Sequence, residues 1–260
     1  MFQNYSKRFS ITSYGEFYMN SLTGFEEVVV NGVARYYVIN YNNTFHSDIV
    51  IFDQNWILKD HRKSNALCTY SIKYVERNFY FSSLNYFYKT TGNSQFTVIN
   101  TSYCYLCSYR QIVYDLKSSK FYLPLVRYKQ MDIYDTSCTR LQRIDLDFKL
   151  NTLALYNNNF YCTEFLRNKI FVLANNSLST VTKKLIDSQC LSGIRFITVD
   201  SFGYIAIICS DDYVVLVYDL NGTDMNTRII SEYEYQPYFI AIDSKRRLLI
   251  MTMHSFDIYY

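Results

Sequence analysis

The sequence predicts an all-β fold: a six-bladed β-propeller of four-stranded antiparallel blades, its ring closed by an N-terminal strand. Three observations carry that expectation. Strand-like runs separated by polar turns recur at intervals of 39 to 45 residues. The chain holds 28 tyrosines and 19 phenylalanines beside abundant Val and Ile, residue types that suit pleated strands. No stretch combines an apolar period of 3.6 residues with helix caps.

The clearest unit runs from Phe196 to Gly222. One run ends at Val199-Asp200, a second spans Tyr204 to Ile208, and a third spans Val214 to Tyr218 before the turn Asp219-Leu-Asn-Gly222. Polar residues equivalent to Asp200 follow apolar or aromatic runs at Asn31, Glu76, Asp115, Asn157 and Asp243, with steps of 45, 39, 42, 43 and 43 residues along the six. Second strands follow at Tyr36 to Ile39, Phe79 to Phe81, Phe121 to Leu123, Phe160 to Cys162, Tyr204 to Ile208 and Leu248 to Met251. Third strands are expected to start at Asp48, Leu84, Lys129, Lys169, Val214 and Ser255. Fourth strands are weaker, at Trp56 to Lys59, Phe96 to Asn100, Leu141 to Ile144, Ser179 to Leu185 and Arg228 to Ser231. A unit of four short strands cannot bury both sheet faces alone, so its neighbours must stack around an axis.

The units are 20–62, 67–102, 110–146, 150–186, 193–234 and 237–260, in a single domain over 1–260. The sixth unit ends after its third strand, and a closing strand within 8–19 is expected to supply the fourth and cover an otherwise open edge. Either Arg8 to Ser13 or Glu16 to Met19 could do so, the other reading being a loose arm.

The formal charge of +3 does not by itself point to nucleic acid or a membrane surface. The first ten residues lack the apolar core of a signal peptide, and no segment reaches the roughly 18 apolar residues of a membrane span. The expectation is a soluble, monomeric ring without membrane contact, its compartment open with a lean toward the cytoplasm. Seven cysteines, Cys68, Cys104, Cys107, Cys138, Cys162, Cys190 and Cys209, are odd in number and irregularly spaced, which fits buried reduced thiols better than disulfides. Five Asn-x-Ser/Thr sequons, at Asn4, Asn42, Asn100, Asn175 and Asn221, weigh the other way, although a chain rich in these residues makes several by chance.

In these runs the chain resembles the NHL-repeat propellers. Their pattern is a first strand ending near Asp, a second strand, a polar turn, and a third strand closing in an aromatic-Asp-x-x-Gly turn. Phe196 to Gly222 matches best, followed by Leu153 to Asn176, Val38 to Asn55 and Phe239 to Tyr260. The family's Asn-Arg before the third strand survives only as Arg167-Asn168-Lys169. The resemblance implies a six-bladed ring that binds a protein or, in some relatives, single-stranded RNA through its loops.

Chemistry is sparse. His46, His61 and His254 fall in different units, and no spacing makes them converge. Cys104 and Cys107 have half of a zinc-site spacing without a second pair. Glu26 and Glu27 are the one carboxylate pair entering an inner strand, read as flanking a solvated strand start. Phosphate-loop and nucleophile-elbow motifs are missing, and no cofactor, catalytic residue or metal ligand is assigned.

Charge gives the one candidate surface. Arg35, Arg77, Lys117, Lys120, Lys245, Arg246 and Arg247 fall at turns between first and second strands, on one side of the ring. Asp48, Asp60, Asp145, Asp147, Glu164, Asp187, Asp211, Asp212, Glu232 and Glu234 are assigned to the other side. A disc polarised in this way would orient a charged partner. The sequence therefore favours a non-catalytic scaffold that binds a protein partner through its loops. The alternatives are a channel-centred hydrolase or lyase with a divalent metal, and a single-stranded RNA-binding module.

Overall fold

A computed structural model describes residues 7–11, 13–14, 17–18, 22–42, 46–67, 69–83, 85–91, 96, 98–104, 111–126, 128–174, 178, 181–187, 190, 192–210, 214–230, 237–252 and 256–259. Among them every regular element is a strand. The first three are β1 (Lys7–Ile11), β2 (Ser13–Tyr14) and β3 (Phe17–Tyr18). Sheet one contains β4 (Leu22–Val30), β5 (Val33–Asn42), β6 (His46–Asp53) and β7 (Leu58–Leu67). Sheet two contains β8 (Thr69–Val75), β9 (Asn78–Ser83), β10 (Tyr86–Thr91) and β11 (Val98–Tyr103). Sheet three contains β12 (Val113–Asp115), β13 (Lys120–Leu125), β14 (Gln130–Tyr134) and β15 (Arg140–Asp145). Sheet four contains β16 (Leu150–Tyr156), β17 (Asn159–Glu164), β18 (Lys169–Ala174) and β19 (Val181–Asp187). Sheet five contains β20 (Ile194–Val199), β21 (Ile205–Cys209), β22 (Val214–Tyr218) and β23 (Asp224–Ile230). Sheet six contains β24 (Phe239–Ile242), β25 (Leu248–Met251) and β26 (Phe256–Tyr259).

All pairings are antiparallel, and sheets one to five each run in chain order. The fourth strand of sheet six is β1, which pairs with β26 through Phe9 opposite Ile258 and Ile11 opposite Phe256. The second N-terminal segment does not join that sheet; β3 pairs with β2 in a separate two-stranded ribbon.

Middle strands such as β21, β22 and β25 are buried along their whole length, because sheets cover both of their faces. This accounts for continuous apolar runs where a one-sided sheet would alternate. Outer strands are the reverse: β11 and β15 are exposed over most of their residues. The fourth strands were hard to see for this reason. β7 begins two residues later than expected and passes through Lys59 to Arg62, where Lys59 and His61 are exposed, a polar stretch that a solvated edge tolerates.

Among the described residues the core falls into five clusters, each joining neighbouring sheets. They join one to two, two to three, three to four, four to five, and five through six back to one. Polar bonds follow the same circuit. Thr23 Oγ1 donates to the Thr69 carbonyl (2.9 Å), Ile112 N–H to Ser71 Oγ (3.2 Å) and Leu153 N–H to Gln111 Oε1 (2.9 Å). Asn151 Nδ2 donates to the Ile194 carbonyl (2.8 Å), Arg195 Nη1 to the Pro237 carbonyl (3.4 Å), and Ser244 N–H to Glu27 Oε2 (2.7 Å). The first five satisfy buried or half-buried polar groups, and all six tie one sheet to the next at or beside their first strands.

Candidate functional site

The turns joining strands one to two and three to four share one end of each sheet, because a four-stranded meander reverses direction at every turn. With few glycines, the chain builds these turns by two recipes. Asn31-Gly32, Glu76-Arg77 and Asn157-Asn158 are two-residue hairpin loops with both φ values positive (51° and 76°, 49° and 63°, 45° and 65°), the type I′ geometry that matches strand twist. The second recipe uses Asp53, Asp135, Asp200, Asp219 and Asp243, each accepting the N–H groups two and four residues on at 2.8 to 3.0 Å. The residue three positions on takes positive φ: Trp56, Cys138, Gly203, Gly222 and Arg246 respectively. Burial alone would raise the carboxyls of Asp53, Asp135 and Asp219, but their N–H donors, helped by Lys59 at Asp53, hold all three below the ordinary value.

All seven sequence-predicted basic residues sit at this turn end, in sheets six, one, two and three, yet they are not equivalent. Arg35, Arg77, Lys117 and Lys245 are exposed, and Lys120 is half-buried. Arg246 lies over the Phe202 ring (3.9 Å) with Asp200 at 3.6 Å. Arg247 leaves the surface set altogether, for it is 4% exposed. Its guanidinium forms two bonds to Asp243 (both 2.6 Å), donates to the Tyr36 hydroxyl, and lies 5.4 Å from the Tyr36 and Trp56 rings. It braces sheet six against sheet one.

The polarised disc is corrected as well. Turns between third and fourth strands lie at the same end as the basic residues, and bring Asp53, Asp135 and Asp219 to join Asp115, Asp200 and Asp243. Asp60 also belongs at this end, paired with Arg62 at 2.7 Å. Asp48 is buried, with His61 at 3.4 Å. Asp145, Asp147, Glu164 and Asp187 are at the opposite end, while Asp211, Asp212, Glu232 and Glu234 lie outside the described residues. Charges of both signs therefore interleave at the turn end.

The same end also displays apolar groups. Val29, Val30 and Val33 at the first hairpin, Ile57 beside them, Leu116 in sheet three and Phe202 in sheet five are all more than half exposed, Leu116 reaching 82%. Periodicity could not flag them, since apolar residues at strand ends read as strand.

First strands of all six sheets line a common cavity of about 390 Å³. Its wall combines aliphatic and aromatic side chains with the polar Glu26, Glu27, Ser71, Lys73, Gln111 and Thr198. Glu26 is not at a solvated strand start: it is buried within β4, bonded to Lys73 Nζ (2.9 Å) and to the Tyr74 N–H (3.0 Å). Burial raises its pKa, and Lys73 opposes the rise without cancelling it. Among the described residues no three His, Cys, Asp or Glu side chains converge as metal ligands. His254 lies outside them.

The thiol reading is overturned in part. Cys190 and Cys209 form a disulfide, with Cα atoms 5.1 Å apart, and Cys104 is disulfide-bonded too. Cys138 and Cys162 are free and buried, burial pushing Cys138 up to about 12 and Cys162 higher still, so both are protonated and unreactive at neutral pH. Cys68 and Cys107 lie outside the described residues.

Comparison with known proteins finds no family model and no curated protein that matches the chain.

Proposed function

We propose that the six sheets are the blades of a closed, NHL-like β-propeller that serves as a non-catalytic ring and binds a protein partner at its turn end. Closure is supported by the core cluster running from sheet five through sheet six to sheet one, and by the Glu27 to Ser244 and Arg247 to Tyr36 bonds across the same seam. The observation that carries the binding reading is the exposure of Val29, Val30, Val33, Ile57, Leu116 and Phe202 together at the turn end, in or beside turns whose backbone is fixed by type I′ geometry or by Asp carboxylates. Exposed apolar groups among charges on a preorganised surface match the make-up of a protein interface, which needs an apolar centre and a polar rim. Near them Arg35, Arg77, Lys117 and Lys245 suit a partner segment that carries carboxylates beside apolar side chains.

The test is proximity labelling in source cells with the wild-type chain, Val30→Asp/Leu116→Asp at the turn end, Leu166→Asp at the opposite end, and Lys73→Met in the channel. Labelled partners should disappear only with the turn-end double variant. Their persistence there would refute the reading.

A second reading rests on Glu26, whose raised pKa and ion pair in the cavity suit a small-molecule site with an acid-base group. Loss of partners, or of a bound small molecule seen by native mass spectrometry, only in Lys73→Met would move the assignment to the channel. Single-stranded RNA is tested by filter binding at two salt concentrations, where a steep salt response would favour a phosphate track.

A further inference from the structure

We propose that the chain matures in an oxidising secretory compartment, where it acquires the Cys190–Cys209 disulfide and an N-linked glycan on Asn221 but not on Asn100. This goes beyond the binding reading and does not rest on it.

Two independent features of the structure support the proposal. The disulfide ties the segment leading into β20 to the last residue of β21, beside the bond from Ser210 N–H to the Gly193 carbonyl (2.8 Å). Both cysteines are buried in the core of sheets four and five, where glutathione and reductases have little access. Cys104 is oxidised as well, so the pairing is not an isolated event. Bonds of this kind persist in oxidising compartments and are rare in the cytosol.

The sequons supply the second feature, because the fold discriminates between them. Asn221-Gly222-Thr223 occupies the Asp219 turn at the rim of sheet five. Asn221 and Thr223 are exposed, the Asn221 backbone N–H is held by Asp219 (2.8 Å), and its carboxamide has no hydrogen bond among the described residues. A glycan on Nδ2 would extend into solvent without disturbing a contact. Asn100 is also exposed, but its Nδ2 donates to the Ser137 carbonyl of sheet three while its Oδ1 accepts the Thr101 N–H (2.8 Å). Substitution there would replace one of the two Nδ2 hydrogens beside the Ser137 carbonyl and crowd the contact between sheets two and three. Asn42 ends β5, and Asn4 and Asn175 lie outside the described residues.

The chemistry needs two co-reactants. Cys190 and Cys209 lose two protons and two electrons to the disulfide of an oxidised dithiol oxidoreductase, which becomes a dithiol as the new S–S bond forms. A lipid-diphosphate-linked oligosaccharide donates the glycan: the Asn221 Nδ2 to sugar C1 bond forms, the C1 to phosphate oxygen bond breaks, the lipid diphosphate departs, and a base takes the amide proton. Asn221 shares the turn end and sheet five with Phe202, whereas Val29, Val30, Val33 and Ile57 belong to sheet one.

The test uses the full chain isolated from its own cells, denatured in iodoacetamide without reductant, digested, and treated with an amidase that releases N-glycans in ¹⁸O water. A peptide joining Cys190 to Cys209, ¹⁸O-labelled Asp at position 221 and unmodified Asn100 are expected. Alkylated Cys190 and Cys209, a bare Asn221, or a glycan on Asn100 would each overturn the proposal. Asn221→Gln should abolish the mobility shift on glycan release at position 221 while leaving the disulfide peptide intact.

Discussion

Replacing Arg247 with alanine removes the brace between the last sheet and the first. The side chain of Asp243 is fully buried, and Arg247 supplies its two charge-assisted bonds at 2.6 Å. Truncation strands that carboxylate, and also removes the donor to Tyr36 and the cation stacked near Tyr36 and Trp56. Breaking a buried pair by deleting one partner costs about 3 to 5 kcal/mol, which lowers the melting temperature of a domain this size by on the order of 10 °C. Lysine should recover only part of the loss, because it cannot form the planar fork. Arg247→Met with Asp243→Asn should recover more than either single change, since the charge is gone while the amide oxygen still accepts the Lys245 and Arg247 N–H groups. The assay is urea unfolding followed by fluorescence and by far-ultraviolet circular dichroism. The chain's one tryptophan, Trp56, lies within this seam, 4.2 Å from the Tyr36 ring and 4.8 Å from Phe256, so its emission reports on the seam itself. A loss below about 1 kcal/mol for Arg247→Ala, similar to that of the exposed control Lys245→Ala, would refute the idea that this network holds the ends of the chain together.

The remaining predictions address turns and pH. Glu76→Asn with Arg77→Gly relieves two positive-φ residues in a type I′ loop and should stabilise by about 1 kcal/mol; an unchanged urea midpoint would count against strain there. Gly203→Ala places a methyl 2.5 Å from Leu220 Cδ1 at φ +91° and should destabilise by about 1 to 3 kcal/mol, whereas a neutral result would show that the turn relaxes freely. Burial raises the Tyr36 hydroxyl to about 12, against the opposing pull of Arg247. Above pH 10 the unfolded chain ionises this phenol while the native state keeps it protonated. Stability is therefore full below about pH 10 and declines as pH rises through 12. Urea midpoints at pH 8, 10 and 11 should fall for the wild type and fall less for Tyr36→Phe; parallel curves would exclude Tyr36 as a source.

Much of the order of elements was legible because it rests on local chemistry. Asn31-Gly32 announces a hairpin, and Asp200 and Asp243 mark turns because a short carboxylate can bond backbone N–H groups two and four residues on. The charged surface was less legible. Arg35, Arg77 and Lys117 look no different in sequence from Arg247, and the turns carrying Asp53, Asp135 and Asp219 share an end with them only once each meander is folded. Glu26 gave no sign of burial, since neither its neighbour Glu27 nor its position in β4 reveals that Lys73, 47 residues on, meets it across the sheet junction.

By itself the sequence determined the inner strands, their period and many of the turn residues, because backbone geometry and short apolar runs act over a few residues at a time. Tertiary structure decided which cysteines meet, which arginine is a brace and which a surface charge, and which polar side chains enter the cavity. Those outcomes depend on contacts between residues tens to hundreds of positions apart, whose energies are fixed only when the sheets pack.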